Sequence, residues 1–324
     1  MKTILIIGCG ELGSRYLQAS LQIFNVNQID VLELSDQAVE VAKSRMNQVK
    51  FDHETIKVNW HKSFKSIKIL ADLCIISTQA DGREYIFNEV FSMGIKNILS
   101  EKIVTQSLSA YLEIISKAEA LGVSVWVNCK TRDYPIWKHI KSKIDSAEEL
   151  LYHSIGGNHG LCTNGIHTLD IFAFISDSKK LIDTNSLIDL TLHTTKRNKY
   201  DLSGSFHLKG NGKSRCIIDY SANSSSSVLE VITTQQYRWV LDHTTRQAFE
   251  SNKNNNWTLE PIPFEGDLSV SNMSIKFISD ILKYQECGLP TLVQSYPAHE
   301  FLFTVTLPIF NKLIGKNDNI CPCT

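Results

Sequence analysis

Apolar positions follow two regimes along this chain. Over residues 1–127, short apolar runs alternate with helically spaced apolar residues. The runs at 2–7 and 72–77 are nearly continuous (Ile4-Leu5-Ile6-Ile7, Leu73-Cys74-Ile75-Ile76), as expected for strands of a parallel sheet covered on both faces. Further strands are predicted at 29–34, 55–60, 96–100 and 123–127. Between them, Leu12, Tyr16, Ala19 and Ile23 fall 4, 3 and 4 apart, one face of a helix. Leu108, Leu112, Ile115 and Leu121 are expected to form a second such face. Alternating βαβ units of this kind predict an α/β domain with a doubly wound parallel sheet.

After Pro135 the pattern changes. A helix is predicted over 136–150, followed by a stretch rich in Gly and His at 151–170. Short β-favouring runs come next: Leu187–Thr195, Leu202–Lys209, Cys216–Ser221, Val228–Thr234 and Arg238–Asp242. Turn clusters such as Gly210-Asn211-Gly212 and Ser224–Ser227 separate them, which predicts a mainly antiparallel, open sheet of hairpins. Asn252–Asn256 sits where another hairpin tip is expected, and helices are predicted near 272–286 and 297–312. The expected organisation is a first domain over 1–127 and an α+β domain over 128–324, with a C-terminal helix packing back on the first.

Composition narrows the class. The 324 residues are about twice one domain's usual length. Apolar residues make up 43% and charged residues 21%, so a wholly disordered chain is excluded. Lys plus Arg number 33 against 34 acids, which gives no electrostatic reason to expect nucleic acid or a membrane surface. No apolar run approaches the ~20 residues of a membrane span. The apolar start is too short for a signal peptide and runs into glycines, so a cytoplasmic protein is expected. The eight cysteines are scattered, several inside apolar runs, and read as buried thiols in a reducing compartment. Cys321-Pro322-Cys323 is expected to be a frayed tail.

Gly8-Cys9-Gly10-Glu11-Leu12-Gly13 is a G-x-G-x-x-G that follows an apolar strand and opens an amphipathic helix. That is the context of the Rossmann dinucleotide fingerprint. Gly8 is expected to make the tight turn, Gly10 to admit a pyrophosphate against the backbone, and Gly13 to let helix and strand pack. The diphosphate then lies on the helix N-terminus, where free N–H groups favour an anion. Glu33 follows Gly13 by 20 residues and suits the adenosine ribose diol, while repelling a 2′-phosphate. No Lys or Arg follows it within five residues, so NAD is expected over NADP. Asp30 is the alternative carboxylate.

With Ala71–Thr78, Gly94–Lys102 and Gly165–Asp170 added to this loop, the chain resembles the glucose–fructose oxidoreductase, inositol dehydrogenase and related (Gfo/Idh/MocA) oxidoreductases. The resemblance covers roughly residues 1–175, and its most telling element is Ser100-Glu101-Lys102. It implies NAD(P)-dependent hydride transfer at a hydroxyl carbon of a sugar, cyclitol or nucleotide-linked sugar. It also implies a homo-oligomer, dimer or tetramer. Lys102 matches the lysine aimed at the nicotinamide and the reacting carbon, and Glu101 its neighbour at the cofactor. Thr78 falls where a threonine usually opens the family's loop over the cofactor, and Ser77 beside it is expected at the cofactor too. His167 matches the proposed acid/base or substrate ligand, a task suited to imidazole.

The chain departs from the family pattern at several positions. Arg83 stands where the cofactor loop usually carries histidine, Ile103 replaces the proline after Glu-Lys, and Thr163 replaces an aspartate four residues before His167. Imine- or amine-directed NAD(P) chemistry and a non-catalytic NAD-binding regulator therefore stand as alternatives. Asn128, Lys130, Arg132, Tyr134, Thr163, Asn164 and Asp170 are placed to border a substrate pocket. His153, His159, Cys162 and His167 are spaced 6, 3 and 5 apart, which matches no zinc signature, so no metal is expected.

Overall fold

The computed structural model describes residues 1–51, 54–145, 148–195, 199–264 and 270–323. Two units emerge: one of residues 1–105, 109–128 and 267–292, the other of 106–108, 129–266 and 293–324.

The first unit is built on β1 (Lys2–Ile7), α1 (Gly13–Ser20), β2 (Val26–Leu32), α2 (Asp36–Met46), β3 (Lys57–His61), β4 (Leu73–Ile76), α3 (Arg83–Ser92), β5 (Asn97–Ser100), α4 (Leu108–Leu121) and β6 (Ser124–Val127). All six strands are parallel in the order β3-β2-β1-β4-β5-β6. The order reverses between β1 and β4, so the crevice at their carboxyl ends is where a doubly wound sheet takes a ligand. The apolar runs of β1 and β4 are buried on both faces, as their lack of alternation requires. The α4 helix forms, but its predicted face is displaced. Ala110, Tyr111, Ile114 and Ala118 are buried, while Leu112 and Leu121 are about half exposed. Tyr111 settles the rotation, because its hydroxyl reaches the Leu292 carbonyl (3.0 Å) inside the unit.

The second unit contains α5 (Pro135–Lys143), β7 (Leu151–Gly157), α6 (Gly165–Ile175), β8 (Ile182–Asp183), β9 (Leu187–Ile188), β10 (His193–Thr194), β11 (Tyr200–Asp201), β12 (Gly204–Lys209), β13 (Arg215–Ser221), β14 (Leu229–Thr233), β15 (Tyr237–Asp242), β16 (Gln247–Asn252) and β17 (Glu260–Ile262). The predicted helix over 136–150 ends at Lys143, and its residues 146–147 lie outside the described residues. Nine strands form one sheet in the order β17-β16-β15-β14-β7-β13-β12-β8, with β9 paired to β12. Every pairing is antiparallel except β7 with β13. The central strand β7 is missed by the sequence pattern because Gly156 and Gly157 end it. An added Cβ at Gly156 would come within 2.7 Å of Val228, so only glycine lets the chain pass.

Helix α7 (Val270–Tyr284) belongs to the first unit, where it lies against α1. Helix α8 (Leu292–Ile314) carries Pro297 and Pro308 inside it. The tail beyond is not frayed. Cys321 and Cys323 are fully buried, and Cys321 N–H donates to the Gln106 carbonyl (2.7 Å). A thiol packs as a small hydrophobe, and that burial holds the tail.

Candidate active site

In the first unit the glycine loop is a tight knot. Gly8 has φ +81°, a left-handed conformation that favours glycine. An added Cβ at Gly13 would lie 2.0 Å from the Gly8 carbonyl oxygen and 2.6 Å from Ser77 Oγ, so helix and strand touch backbone to backbone. Ser77 Oγ donates to that same Gly8 carbonyl (2.6 Å), locking β4 to the loop. At Gly10, by contrast, an added Cβ meets nothing within 4 Å. Thr78 Oγ1 is buried with no hydrogen-bond partner among the described residues.

Glu33 reaches this loop from the end of β2. Its Oε2 accepts the Cys9 N–H at 2.5 Å and its Oε1 the Ser35 N–H at 2.8 Å. The alternative, Asp30, is 2% exposed and its carboxylate is held by His61 Nε2 (2.5 Å) and Gln28 (2.7 Å). Glu11 forms a two-toothed pair with Arg45 (2.7 Å to each oxygen), whose guanidinium also reaches the Glu11 carbonyl and Ser14 Oγ. Leu12 starts α1, its carbonyl accepting from Tyr16 N–H. Lys62 donates to the Leu34 carbonyl (3.1 Å) and pairs with Asp36 (2.6 Å), a cation near Glu33 that sequence spacing did not reveal.

Glu101 is buried beside β5. It accepts from the Tyr16 hydroxyl (2.6 Å) and Asn128 Nδ2 (2.7 Å), while Asn128 Nδ2 also reaches Tyr16 (2.6 Å). Burial, then the Glu101 charge, pushes the Tyr16 phenol well above its ordinary range. Asn128 is thus buried in this triad and does not line the cavity of the second unit. Arg83 likewise departs from the expectation of a cofactor contact. It is 1% exposed, and its guanidinium donates to the carbonyls of Thr78, Glu101 (2.6 Å), Ile103 and Val104 (3.2 Å). A buried guanidinium needs acceptors, and these carbonyls supply them. Arg83 thus ties the loop after β4 to the segment carrying Lys102, which is half-buried; the Lys102–Ile103 peptide is cis.

In the second unit, a cavity of about 600 Å³ is lined by Lys130, His159, Asn164, His167, Tyr220, Glu230 and His243, with Ser225–Ser227 at its border. Asn164 caps α6 and His167 lies in its first turn. Arg132, Tyr134, Thr163 and Asp170 do not line it. Arg132 instead grips Asp170 with two bonds (2.9 and 2.7 Å), both side chains buried. Burial pushes the Asp170 carboxyl up to about 6 against the pull of Arg132. Tyr134 is buried ahead of α5, and burial pushes its phenol up to about 12. Thr163 Oγ1 donates to Asp201 (2.5 Å), which also accepts from the Cys162 and Leu202 N–H groups. A carboxylate thus stands beside Thr163, supplied from β11. The His-Cys run does not converge: His153 pairs with Asp219 (2.6 Å), and among the described residues no three His, Cys, Asp or Glu gather around a metal position.

Sequence reasoning missed Tyr16, Asp201, Tyr220, Glu230 and His243. One signal was available for Glu230, a charged residue at an inward position of the alternating strand β14.

No protein-family model matches the chain, and no curated protein sequence matches it. Solved structures do. A UDP-N-acetylglucosamine 3-dehydrogenase from Acidithiobacillus ferrooxidans superposes with TM-score 0.75 at 13% identity, covering 96% of this chain and 99% of that one. An oxidoreductase from Agrobacterium radiobacter, in complex with NAD+, L-tartaric acid and magnesium, gives 0.75 at 12%, covering 96% and 97%. A Gfo/Idh/MocA family oxidoreductase from Vibrio cholerae gives 0.71 at 12%, covering 97% and 100%. The fold is that of the Gfo/Idh/MocA oxidoreductases. Its two parts, the parallel sheet and the mainly antiparallel one, are both present here. Among the described residues no helix is long and apolar enough to cross a membrane.

Proposed function

We propose that this chain is an NAD-dependent oxidoreductase that moves hydride at the hydroxyl carbon of a small polyol: a sugar, cyclitol or nucleotide-linked sugar. The observation that carries the reading is the Glu33 carboxylate lying 2.5 Å from the Cys9 N–H of the glycine loop. The residues fit a dinucleotide: a close-packed turn at Gly8 and Gly13, open space at Gly10, an unpartnered Thr78 hydroxyl, and a carboxylate beside them. Gly8, Gly10, Glu11, Leu12, Gly13, Ser77 and Thr78 would hold the diphosphate and nicotinamide halves, and Glu33 the ribose diol. The cofactor supplies hydride transfer. The chain's part is to position and polarise. Lys102 lends a positive charge to the developing alkoxide or carbonyl oxygen. Glu101, fixed by Tyr16 and Asn128, and Arg83, fixed on carbonyls, hold the Lys102 segment. His167 takes or returns the hydroxyl proton in a polar cavity of suitable size for a sugar.

The A. ferrooxidans protein is named for a UDP-sugar substrate, which supports that substrate class here. A homo-oligomer is also proposed. The outward face of the nine-stranded sheet exposes Leu151, Ile155, Ile217 and Leu229 by 40%, 46%, 36% and 37%, an apolar surface that a second copy would cover. All eight cysteines are free thiols, which suits the cytoplasm. Calorimetric titration with NAD and NADP, followed by NADH release across a panel of sugars and UDP-sugars, tests the reading. Absence of binding by either dinucleotide at millimolar concentration would overturn it.

A further inference from the structure

The cavity of the second unit contains a carboxylate–imidazole pair that the proposed reaction leaves unused. Glu230 faces inward from β14, and its side chain is only 3% exposed. One oxygen accepts from the Tyr152 hydroxyl and Ser154 Oγ, and the other faces His243 Nε2. His243 follows β15, its N–H bound to the Val228 carbonyl (3.2 Å) and its ring edge-on to Phe264 (5.3 Å between centroids). The imidazole is 22% exposed and lines the cavity, so the pair is open on one side. Its Nδ1 has no protein partner among the described residues.

The sign of the lining points the same way. Lys130, His159, His167 and His243 are the basic groups around the cavity, and Glu230 is the acid among the lining residues. The Glu230 charge is engaged by His243, Tyr152 and Ser154, so the lining carries four basic side chains and a single, already engaged acid. The hydroxyls of Ser225, Ser226 and Ser227 add donors at the border. We propose that this is an oxyanion pocket in which His243, held by Glu230, receives a carboxylate or phosphate group of the substrate. The inference rests on the reading of this cavity as the substrate site and narrows the substrate class to one that carries a negative charge.

The charge on His243 is set by the groups that face it. Burial opposes its cationic form, while Glu230 from β14 and Asp242 on its own strand favour it, and the net effect raises its pKa above the usual 6.5. The raised value extends the pH range over which the cation persists. Oxyanion affinity should therefore be full at acid pH and fall as pH rises through the histidine's titration.

Two matched probe pairs test this without cofactor or turnover: UDP against uridine, and D-glucuronate against D-glucose, by calorimetry and by the histidine ring signals in NMR. At least one charged probe should bind at least about tenfold more tightly than its neutral partner, shifting the His243 signal. Binding of UDP alone assigns the pocket to a diphosphate, and binding of glucuronate alone to a sugar carboxylate. His243→Gln should abolish the preference. Glu230→Gln keeps the side-chain shape and should move the pH dependence to lower pH. Should neither charged probe bind, neutral probes bind equally, or His243→Gln keep the preference, the pocket is not an oxyanion site. If the variants fail to fold, the loss of wild-type affinity with rising pH decides the matter. NADH binding, followed separately by fluorescence, distinguishes this failure from that of the oxidoreductase reading.

Discussion

Replacing Glu33 with Ala tests the cofactor assignment most directly, and the structure shows how the change acts. The carboxylate holds two backbone N–H groups, Cys9 at 2.5 Å and Ser35 at 2.8 Å, and so ties the glycine loop to the start of α2. Each bond to a charged acceptor is worth about 1.5–3 kcal/mol when shielded. Glu33 is half-buried, so water replaces part of that loss. The ribose diol loses its acceptor at the same time. A net weakening of NAD binding by about 1–3 kcal/mol follows, or about 5- to 150-fold in Kd. NADP should weaken less or improve, because the repulsion of a 2′-phosphate disappears and Lys62 stands at the neighbouring Leu34 carbonyl. Fluorescence titration of NADH and NADPH, with a thermal melt of each variant, reads both effects. Glu33→Gln keeps one acceptor oxygen and should fall between wild type and Ala. A wild-type protein that binds NADPH more tightly than NADH, or an Ala variant weakened equally for both, would refute the placement of Glu33 at the ribose.

Lys102→Met keeps the aliphatic stem and removes the charge, so kcat should fall by about 10²–10³-fold with little change in NADH affinity; an unaltered kcat removes Lys102 from the chemistry. His167→Ala should lower kcat by about 10²–10⁴-fold and erase one limb of the pH–rate profile, whereas a raised KM with unchanged kcat would make it a substrate ligand only. Asp170→Ala strands the buried Arg132 guanidinium and should cost about 3–5 kcal/mol in chemical denaturation. Asp170 titrates near 6 in the fold against 3.8 in the unfolded chain, so its contribution to stability is present below about pH 4 and is lost as pH rises to about 6. Asp170→Asn should lack that slope, and a slope retained in the Asn variant would assign it to another group.

The positions of Arg83 and Asn128 show where linear reasoning stops. Both sit in segments whose place in the Rossmann unit was legible, and both were expected at a ligand. Which way a side chain turns depends on which acceptors the completed fold offers. Arg83 found the Thr78 carbonyl five residues upstream and three carbonyls 18 to 21 residues further along, and Asn128 found Tyr16 and Glu101, 112 and 27 residues away. The rotation of α4 was misjudged for a related reason: Leu112 and Leu121 are as apolar as the residues that are buried, and the register was decided by Tyr111 reaching Leu292.

Features set by neighbours in sequence were carried by the sequence alone. The strand–glycine loop–helix at the N-terminus follows from steric limits within six residues, and the parallel order of six strands follows from repeated βαβ handedness. Glu33 was legible too, because a fixed strand length places it beside the loop. Pairings across long chain separations were not. Asp201 beside Thr163, Glu230 under His243 and the buried tail cysteines bring together residues with no shared periodicity. Charge pairing and burial act through space, and only the packed second unit determines which of its carboxylates meets which imidazole.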